Sequence, residues 1–348
     1  MNRPGSVVLV GYYPPPLGGE SVHVRQLAQR LREAGVHVRV INARRGAPPH
    51  PDYRHVSGAI DFVTALRETV VDETVLHFHT NGHSGKSWRL ALVVAAFLRA
   101  RRAHGVLTLH SGMAPDYLER LGPVGRRIVK LAIASFAHVV CVNVAIRRAV
   151  EAIGVPASRL SILPAYLGVP EAGRLSGEDG ALIEEFRPLV VAAGGADPEY
   201  GLPLLVEAIA DLAAEFPALG CVIMGAGANA RLERLVAARA LSGRVRCLGE
   251  VQHDRYVSLL ARADVFVRPS HVDGDAVSVR EALAMRVPVV ASDTDFRPAG
   301  VLLFRRGDRK HLSDTLRQAL RSEARATSPA RPSTANPVAT LLRIYGAA

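Results

Sequence analysis

Three carboxylates stand close together in HVDGDAVSVREALAMRVPVVASD, residues 271–293. Asp273 and Asp275 are separated by one glycine, a spacing that could hold a divalent metal ion beneath a nucleotide diphosphate. Asp273 and Glu281 are eight residues apart across the start of a predicted helix, and could instead hold the hydroxyl groups of a sugar and a ribose without a metal. A third interpretation is a turn followed by a helix cap. The first two arrangements belong to different kinds of enzyme.

The helix after this turn offers a further group that could bind a ligand. If Asp275 is the N-cap, the helix is AVSVREALAMR and its first turn presents unpaired backbone N–H groups. Such a helix start favours a pyrophosphate, because the N–H groups and the positive end of the helix dipole both attract negative charge. The N–H groups predicted to contribute are those of Ala276, Val277 and Ser278.

Three glycine-containing turns are weaker candidates. In PPPLGGESVHV, residues 14–24, two glycines open a helix after a strand, which suits either a phosphate or an ordinary tight turn. HTNGHSGKSW, residues 79–88, has Thr80 where a P-loop needs its first glycine, so a polar loop is favoured. VIMGAGANA, residues 222–230, is a weak dinucleotide fingerprint, and a turn that binds no NAD is favoured.

Histidines end two neighbouring predicted strands. His110 ends GVLTLH, where it is either a structural hydrogen-bonding residue or part of a site. His77 and His79 end TVLHFHT, and their spacing of two places both side chains on one face of the strand. No third ligand stands at a suitable spacing, so no metal site is predicted.

Composition limits the partners. The chain has 348 residues and a formal net charge of +11, which favours nucleic acid, an anionic membrane surface or phosphorylated ligands. Aromatic residues make up only 5%, and no run pairs them with basic residues, so nucleic acid is not predicted. LERLGPVGRRIVKLAIASFA, residues 118–137, is either an ordinary solvated helix face or a patch for anionic lipid.

Other features concern the compartment. The three cysteines lie inside predicted strands, far from one another, and are interpreted as buried small hydrophobic residues. No apolar run approaches the roughly 20 residues that span a bilayer, and the N-terminus makes a poor signal peptide. The prediction is a cytoplasmic protein, with peripheral attachment to the inner face of the cell membrane left open.

The predicted elements form two similar halves. Short apolar, β-branched runs alternate with amphipathic stretches, which predicts an α/β fold with parallel sheets covered by helices on both faces. The expected organisation is an N-terminal Rossmann-like domain over 1–168, a linker over 169–187 and a C-terminal Rossmann-like domain over 188–325. The tail, 326–348, is expected to cross back towards the N-terminal domain.

The order of these pieces resembles that of retaining glycosyltransferases of the GT-B fold, family 4, over nearly the whole chain. No single piece is specific, but nine of them stand in register. Those that carry the resemblance include PPPLGGESVHVRQLAQRLREAGVHVRVI, GVLTLHSG, CVIMGAGANARLERL, LLARADVFVRPS and DGDAVSVREALAMRVPVVASD. The resemblance implies two Rossmann-like domains that face each other across a cleft.

The resemblance also implies roles for individual residues. The catalytic residues would be His110, which matches the family's active-site histidine, and Asp273, which would hold hydroxyls of the transferred sugar. Asp273 stands where the family usually has glutamate. Glu281 would accept hydrogen bonds from the ribose. Family members generally need no bound metal, so no cofactor is expected and the Asp-Gly-Asp is a turn.

The implied reaction moves a hexose or N-acetylhexosamine from a UDP- or GDP-linked donor to a glycan or lipid-linked acceptor, as in the synthesis of cell-envelope polysaccharide. The donor would lie mainly on the second domain and the acceptor on the first. Front-face displacement would let the leaving diphosphate take the acceptor's proton. The alternatives are a nucleotide-sugar epimerase and a non-catalytic binding protein. The donor diphosphate would contact the backbone of Ala276–Ser278 and, from the other domain, Gly18 and Gly19.

One departure from the family concerns the phosphate clamp. The family usually has Arg and Lys where this chain has Gly195 and Tyr200. A leaving diphosphate needs cationic or N–H stabilisation, and losing one such donor commonly costs several kcal/mol of barrier. Arg268 and Arg280 are predicted to substitute, and Asp275 belongs to the same predicted donor site.

Overall fold

The computed structural model describes residues 4–71, 73–168, 172–173, 175–195, 197–225, 230–294, 296–322 and 336–346. The chain divides into two compact units. Unit 1 is Met1–Leu167 with Ser333–Ala348, and unit 2 is Gly168–Pro332.

Within the described residues, unit 1 contains a sheet of seven strands. They are β1 Ser6–Gly11, β2 His37–Asn42, β3 Arg54–His55, β4 Thr74–Thr80, β5 His104–Leu109, β6 His138–Cys141 and β7 Leu160–Ile162. The strands pair in parallel in the order β3-β2-β1-β4-β5-β6-β7. The winding reverses between β1 and β4, and in open α/β sheets ligands bind at the carboxyl ends of the strands beside such a reversal.

Helices cover both faces of this sheet, which is why β4 is buried along its whole length. Local capping sets several helix starts: Ser84 Oγ accepts from the Ser87 N–H at 3.2 Å, and Asn143 Oδ1 accepts from the Ile146 N–H at 2.8 Å. The helices are α1 Gly19–Glu33, α2 Ala59–Thr69, α3 Gly85–Arg101, α4 Ala114–Glu119, α5 Pro123–Ala134 and α6 Val144–Ala152, followed by a 3-10 turn, Ala157–Arg159.

Unit 2 repeats the plan with a sheet of six strands among its described residues. They are β8 Leu189–Ala193, β9 Gly220–Met224, β10 Val245–Gly249, β11 Val265–Arg268, β12 Val289–Ser292 and β13 Val301–Phe304. The strands are again parallel, in the order β10-β9-β8-β11-β12-β13. The reversal therefore lies between β8 and β11.

Apolar clusters pack on both faces of this second sheet. Helix α7 lies inside the segment predicted as a linker, where Ser176 Oγ caps it by accepting from the Asp179 N–H at 3.1 Å. The helices of unit 2 are α7 Gly177–Glu185, α8 Leu202–Leu212, α9 Ala230–Ala238, α10 His253–Leu260, α11 Val277–Ala284 and α12 Arg309–Arg321, with a 3-10 turn at Pro198–Tyr200.

The last helix, α13 Pro337–Gly346, belongs to unit 1, where Leu341 and Tyr345 join the core. Of the tail predicted to cross back, 326–348, residues 326–335 and 347–348 lie outside the described residues. The prediction of an α/β fold with two parallel, helix-covered sheets is confirmed. Across the described part of the chain, no helix has both the length and the apolar character needed to cross a bilayer.

Candidate functional site

At the reversal point of unit 2, Arg268 joins the carboxyl ends of β8 and β11. Its Nη1 donates to the Ala193 carbonyl at 2.7 Å, and its guanidinium carbon lies 5.0 Å from the centre of the Tyr200 ring. The Tyr200 ring also lies against Gly195, where an added Cβ would come within 2.9 Å of it. Of the two positions that depart from the family pattern, Tyr200 therefore lies against a cation, in a cation–π contact, and Gly195 lies against the Tyr200 ring.

Asp273 is the centre of a buried ionic network. Arg268 donates to both carboxylate oxygens, at 2.6 and 3.2 Å, and Arg297 Nη1 donates to Oδ2 at 2.8 Å. The Ser270 hydroxyl donates to the same Oδ2. Burial raises the pKa of Asp273, but the two guanidiniums outweigh it and hold that pKa at about 2. Four protein N–H and O–H groups thus donate to this carboxylate, three of them to Oδ2 and one to Oδ1.

Arg297 was not among the predicted site residues. It follows β12, and besides Asp273 its guanidinium donates to the Ser292 carbonyl at 2.9 Å and to the Ser270 hydroxyl at 3.0 Å. Burial lowers its pKa, and Arg268 adds to the effect. The signal in the sequence was an arginine just past the carboxyl end of a predicted strand, at the edge where ligands bind.

The predicted cap of α11 is wrong. Ala276 is the N-cap residue, while the buried Asp275 accepts from Arg280 Nε at 2.6 Å. This contact is a charge-assisted hydrogen bond between opposite charges, which holds the Asp275 carboxylate beside Arg280. The helix begins at Val277. The N–H groups of Val277 and Ser278 have no partner within the helix.

Glu281 is buried one turn further along α11. Its Oε1 lies 3.0 Å from His253 Nε2, on the neighbouring helix α10, and its side chain is 2% exposed. Burial, together with Glu281, raises the pKa of Tyr256 well above its ordinary value. His253 was also missed in the sequence, although it begins the helix that follows strand β10.

At the reversal point of unit 1, three histidines from three elements meet. Their candidate ligand atoms all lie within 4.8 Å of one another. His79 Nδ1 is 3.1 Å from His110 Nε2. The ring centre of His23, on α1, lies 5.4 Å from that of His79 and 5.0 Å from that of His110. The sequence showed no third ligand beside His77 and His79, whereas the structure supplies His23 and His110 instead.

His77 has a separate role in the core. Its Nδ1 lies 2.6 Å from the Tyr345 hydroxyl on α13, and its Nε2 lies 2.6 Å from the Thr108 hydroxyl. Burial lowers the pKa of His77, His79 and His110 well below 6.5, and lowers that of His23 to about 4. All four rings are therefore neutral at pH 7.

Gly18 and Gly19 open α1 beside this cluster. Gly18 is the N-cap with extended backbone, and its N–H donates to the Ser21 hydroxyl at 3.0 Å. A Cβ added at Gly19 would meet no atom within 4 Å, and one at Gly18 would meet only the Ser21 hydroxyl at 3.8 Å. The fold of unit 1 therefore does not require glycine at either position. In the glycine-containing turn at 222–230, residues 226–229 lie outside the described residues.

Comparison with known proteins identifies the family. The model of "Glycosyltransferase Family 4" matches residues 17–165, and that of "Glycosyl transferases group 1" matches residues 179–332. A phosphatidyl-myo-inositol mannosyltransferase of Mycolicibacterium smegmatis is 30% identical over 308 residues, which are 80% of this chain and 73% of the relative. The chain belongs to the family 4 glycosyltransferases.

Other comparisons agree with this assignment. The gpi3 subunit of the phosphatidylinositol N-acetylglucosaminyltransferase of Schizosaccharomyces pombe is 26% identical over 88% of this chain and 70% of its own length. Among solved structures, HepE of Anabaena in complex with UDP-glucose has the same fold, with a TM-score of 0.71, 16% identity and 98% coverage of both chains. This family 4 chain is therefore a glycosyltransferase with the GT-B type of fold.

Proposed function

We propose that this glycosyltransferase transfers a sugar with retention from a nucleoside diphosphate sugar to a lipid-linked or glycan acceptor, and needs no metal for the transfer. The observation that carries the proposal is Arg268, which joins the ends of β8 and β11 at the reversal point of unit 2. The names of the relatives support a lipid-linked acceptor, and the UDP-glucose bound to HepE supports this class of donor.

The diphosphate is assigned to the carboxyl ends of β8 and β11, beside Arg268. The start of α11 contributes unpaired N–H groups, and Arg280 stands in its first turn. These groups supply positive charge where the family's Arg and Lys are replaced by Gly195 and Tyr200. In unit 1, Gly18 and Gly19 are assigned to a phosphate-binding turn, because a turn whose glycines are not needed for packing allows close backbone approach.

The sugar and the ribose are assigned to carboxylates. Glu281 would accept from the ribose hydroxyls, with His253 fixing its orientation through the 3.0 Å contact. Asp273 and His110 would face the transferred sugar. In a front-face mechanism the leaving diphosphate removes the acceptor's proton, so Arg268 acts by stabilising the charge that develops on that diphosphate.

Replacing Glu281 by glutamine tests the donor site. Hydrogen bonds to a charged group contribute about 1.5–3 kcal/mol, so Glu281→Gln is expected to weaken binding of the preferred nucleoside diphosphate by about 10- to 100-fold. The measurement is calorimetric titration with UDP, GDP, ADP and NAD, in EDTA and separately with manganese, referred to the folded fraction. Glu233→Gln, an exposed glutamate of α9, is the matched control.

Three outcomes would contradict the donor proposal. They are equal affinity in the two variants, nucleotide binding that requires manganese, and binding of NAD alone. Retention is checked separately, because the anomeric configuration of the product can be read by NMR. An epimerase would release a free sugar or an epimer in the absence of any acceptor, and a non-catalytic binding protein would release nothing.

Helix α5 supports attachment to an anionic membrane. Val124, Ile128 and Leu131 form a stripe along it and are 73%, 41% and 50% exposed. Arg127 and Lys130 are exposed beside the stripe. An apolar stripe flanked by cations is typical of helices that lie in the headgroup region of a bilayer. We infer that this face holds the enzyme near a lipid-linked acceptor.

Leu131→Asp is expected to reduce co-sedimentation with phosphatidylglycerol vesicles by about tenfold or more, because the stripe would then carry a charge into the bilayer interface. Arg127→Glu should weaken binding in a salt-dependent manner, at about 1 kcal/mol per charge. Ile60→Asp is the control, since Ile60 is 86% exposed on another helix, α2. Binding that is equal for phosphatidylcholine vesicles, or unchanged in Leu131→Asp, would argue against the membrane proposal.

A further inference from the structure

We propose that His23, His79 and His110 form a binding site for a divalent transition metal ion such as Zn²⁺. The site lies in unit 1, at the carboxyl ends of β4 and β5, and it includes His110, which is also proposed to face the transferred sugar. It goes beyond the proposed function, since transfer is proposed to need no metal.

The distances suit a metal held by imidazoles. Zinc–nitrogen bonds of about 2.0–2.1 Å in tetrahedral geometry place ligand nitrogens roughly 3.3 Å apart. His79 Nδ1 and His110 Nε2 are already 3.1 Å apart, and the third nitrogen lies within 4.8 Å. Small changes in the side-chain torsions of His23 would complete the set.

The surroundings of two histidines support the same conclusion. His23 Nδ1 lies 2.6 Å from the Ala165 carbonyl, the kind of contact that fixes the tautomer of a metal-binding histidine and leaves Nε2 as the ligand atom. His79 is 1% exposed, yet its Nε2 has no hydrogen-bond partner among the described residues. A buried ring nitrogen without a partner is unfavourable.

A carboxylate lies close to the histidine cluster. Glu20 is three residues before His23 on α1, so both occupy the same side of that helix. A Cβ added at Gly11 would lie 2.9 Å from His79 Cβ and 3.5 Å from Glu20 Oε1, so Glu20 and His79 both lie beside that glycine.

The ligand chemistry selects the metal. Neutral imidazoles suit zinc, copper and nickel, whereas magnesium and calcium require oxygen ligands. His77 is not a ligand, because its two nitrogens are engaged by Tyr345 and Thr108. Three protein ligands leave a coordination position for water, and His110 is only partly buried, which gives the ion a route of entry.

The test is a zinc titration of the full chain after it has been stripped with EDTA and desalted, in competition with a chromogenic chelator. We expect one tight Zn²⁺ per chain, and about 100-fold weaker binding in His110→Ala. His37→Ala, which removes an exposed histidine of the same unit, should bind as the parent does. X-ray absorption of the zinc-loaded parent should show a shell of imidazole nitrogens, and this measurement depends on no variant.

No tight site, equal binding in His110→Ala, or an oxygen-only shell would each overturn the proposal. These outcomes can be told apart from those of the donor experiment, because that experiment measures nucleotide binding and changes Glu281, a residue of unit 2.

Discussion

Asp273→Asn is expected to lower the free energy of unfolding of unit 2 by about 3–5 kcal/mol, the cost of breaking a buried ion pair from one side. Arg268 and Arg297 are 11% and 3% exposed, and both donate to this carboxylate. Asparagine keeps the shape but loses the charge, and its amide group would point N–H groups at guanidinium N–H groups. Two buried cations would then remain without a counterion.

The measurement is urea unfolding followed by far-ultraviolet circular dichroism, with hydrogen exchange of the peptide that contains β11 to locate the effect. Asp314→Asn is the matched control, because Asp314 is 53% exposed and pairs with Arg317 one turn away on α12. An exposed pair of this kind contributes about 0.5 kcal/mol or less. If Asp273→Asn costs no more than the control, the network is not a determinant of stability in unit 2.

The sheets could be predicted from the sequence because their signals are local. Strands such as TVLHFHT are apolar along their length, since a parallel sheet is covered on both faces, and turn residues separate them from amphipathic helices. The helix predicted to open at the two glycines of residues 14–24 is α1, Gly19–Glu33. Repetition of this pattern predicted two sheets, which the structure confirms.

The candidate sites were only partly predictable because they depend on strand order. The sequence marked His110, which ends a predicted strand, and Asp273 and Glu281, which lie in the turn and the helix predicted at 271–293. It missed Arg297 and His23, which lie on other loops and helices of the same sheet edge. Such neighbours become visible only once β11 lies beside β12, and β1 beside β4.

The prediction of the cap of α11 was wrong for a different reason. Asp275 has the residue type and the position of a good N-cap, so local rules favour that role. In the structure the N-cap is the next residue, Ala276, and the Asp275 carboxylate accepts from Arg280 Nε at 2.6 Å. The contact with Arg280 depends on distances in the folded chain, and the sequence alone does not contain them.

Acidification is expected to destabilise unit 1 between pH 7.5 and 5.0 in EDTA. A histidine buried as the neutral form has a folded pKa below its unfolded value of about 6.5, so the unfolded chain binds more protons as the pH falls, and stability is lost below that value. Burial lowers the pKa of His23 to about 4, which alone corresponds to a loss of about 2 kcal/mol by pH 5. His77, His79 and His110 act in the same direction.

One carboxylate opposes this trend. Burial raises the pKa of Glu20 to about 7, so the folded chain takes up a proton between pH 7 and 4.5 that the unfolded chain does not. Glu20 therefore contributes about 2 kcal/mol of stability on acidification and nearly cancels His23. The net loss in the parent protein is then set by the other three histidines. Glu20→Gln should remove the compensation and make the loss steeper by about 2 kcal/mol.

Fluorescence offers a clean readout, because the single tryptophan, Trp88, is buried in unit 1. Urea midpoints followed by Trp88 should fall from pH 7.5 to 5.0, and fall further in Glu20→Gln. The Asp273 network does not contribute in this range, since the pKa of Asp273 is held at about 2 and that group titrates only at lower pH. A midpoint that stays level or rises in both proteins would mean that these histidines are solvated or charged in the folded chain. The imidazoles proposed to bind a metal would then not be held in their neutral form.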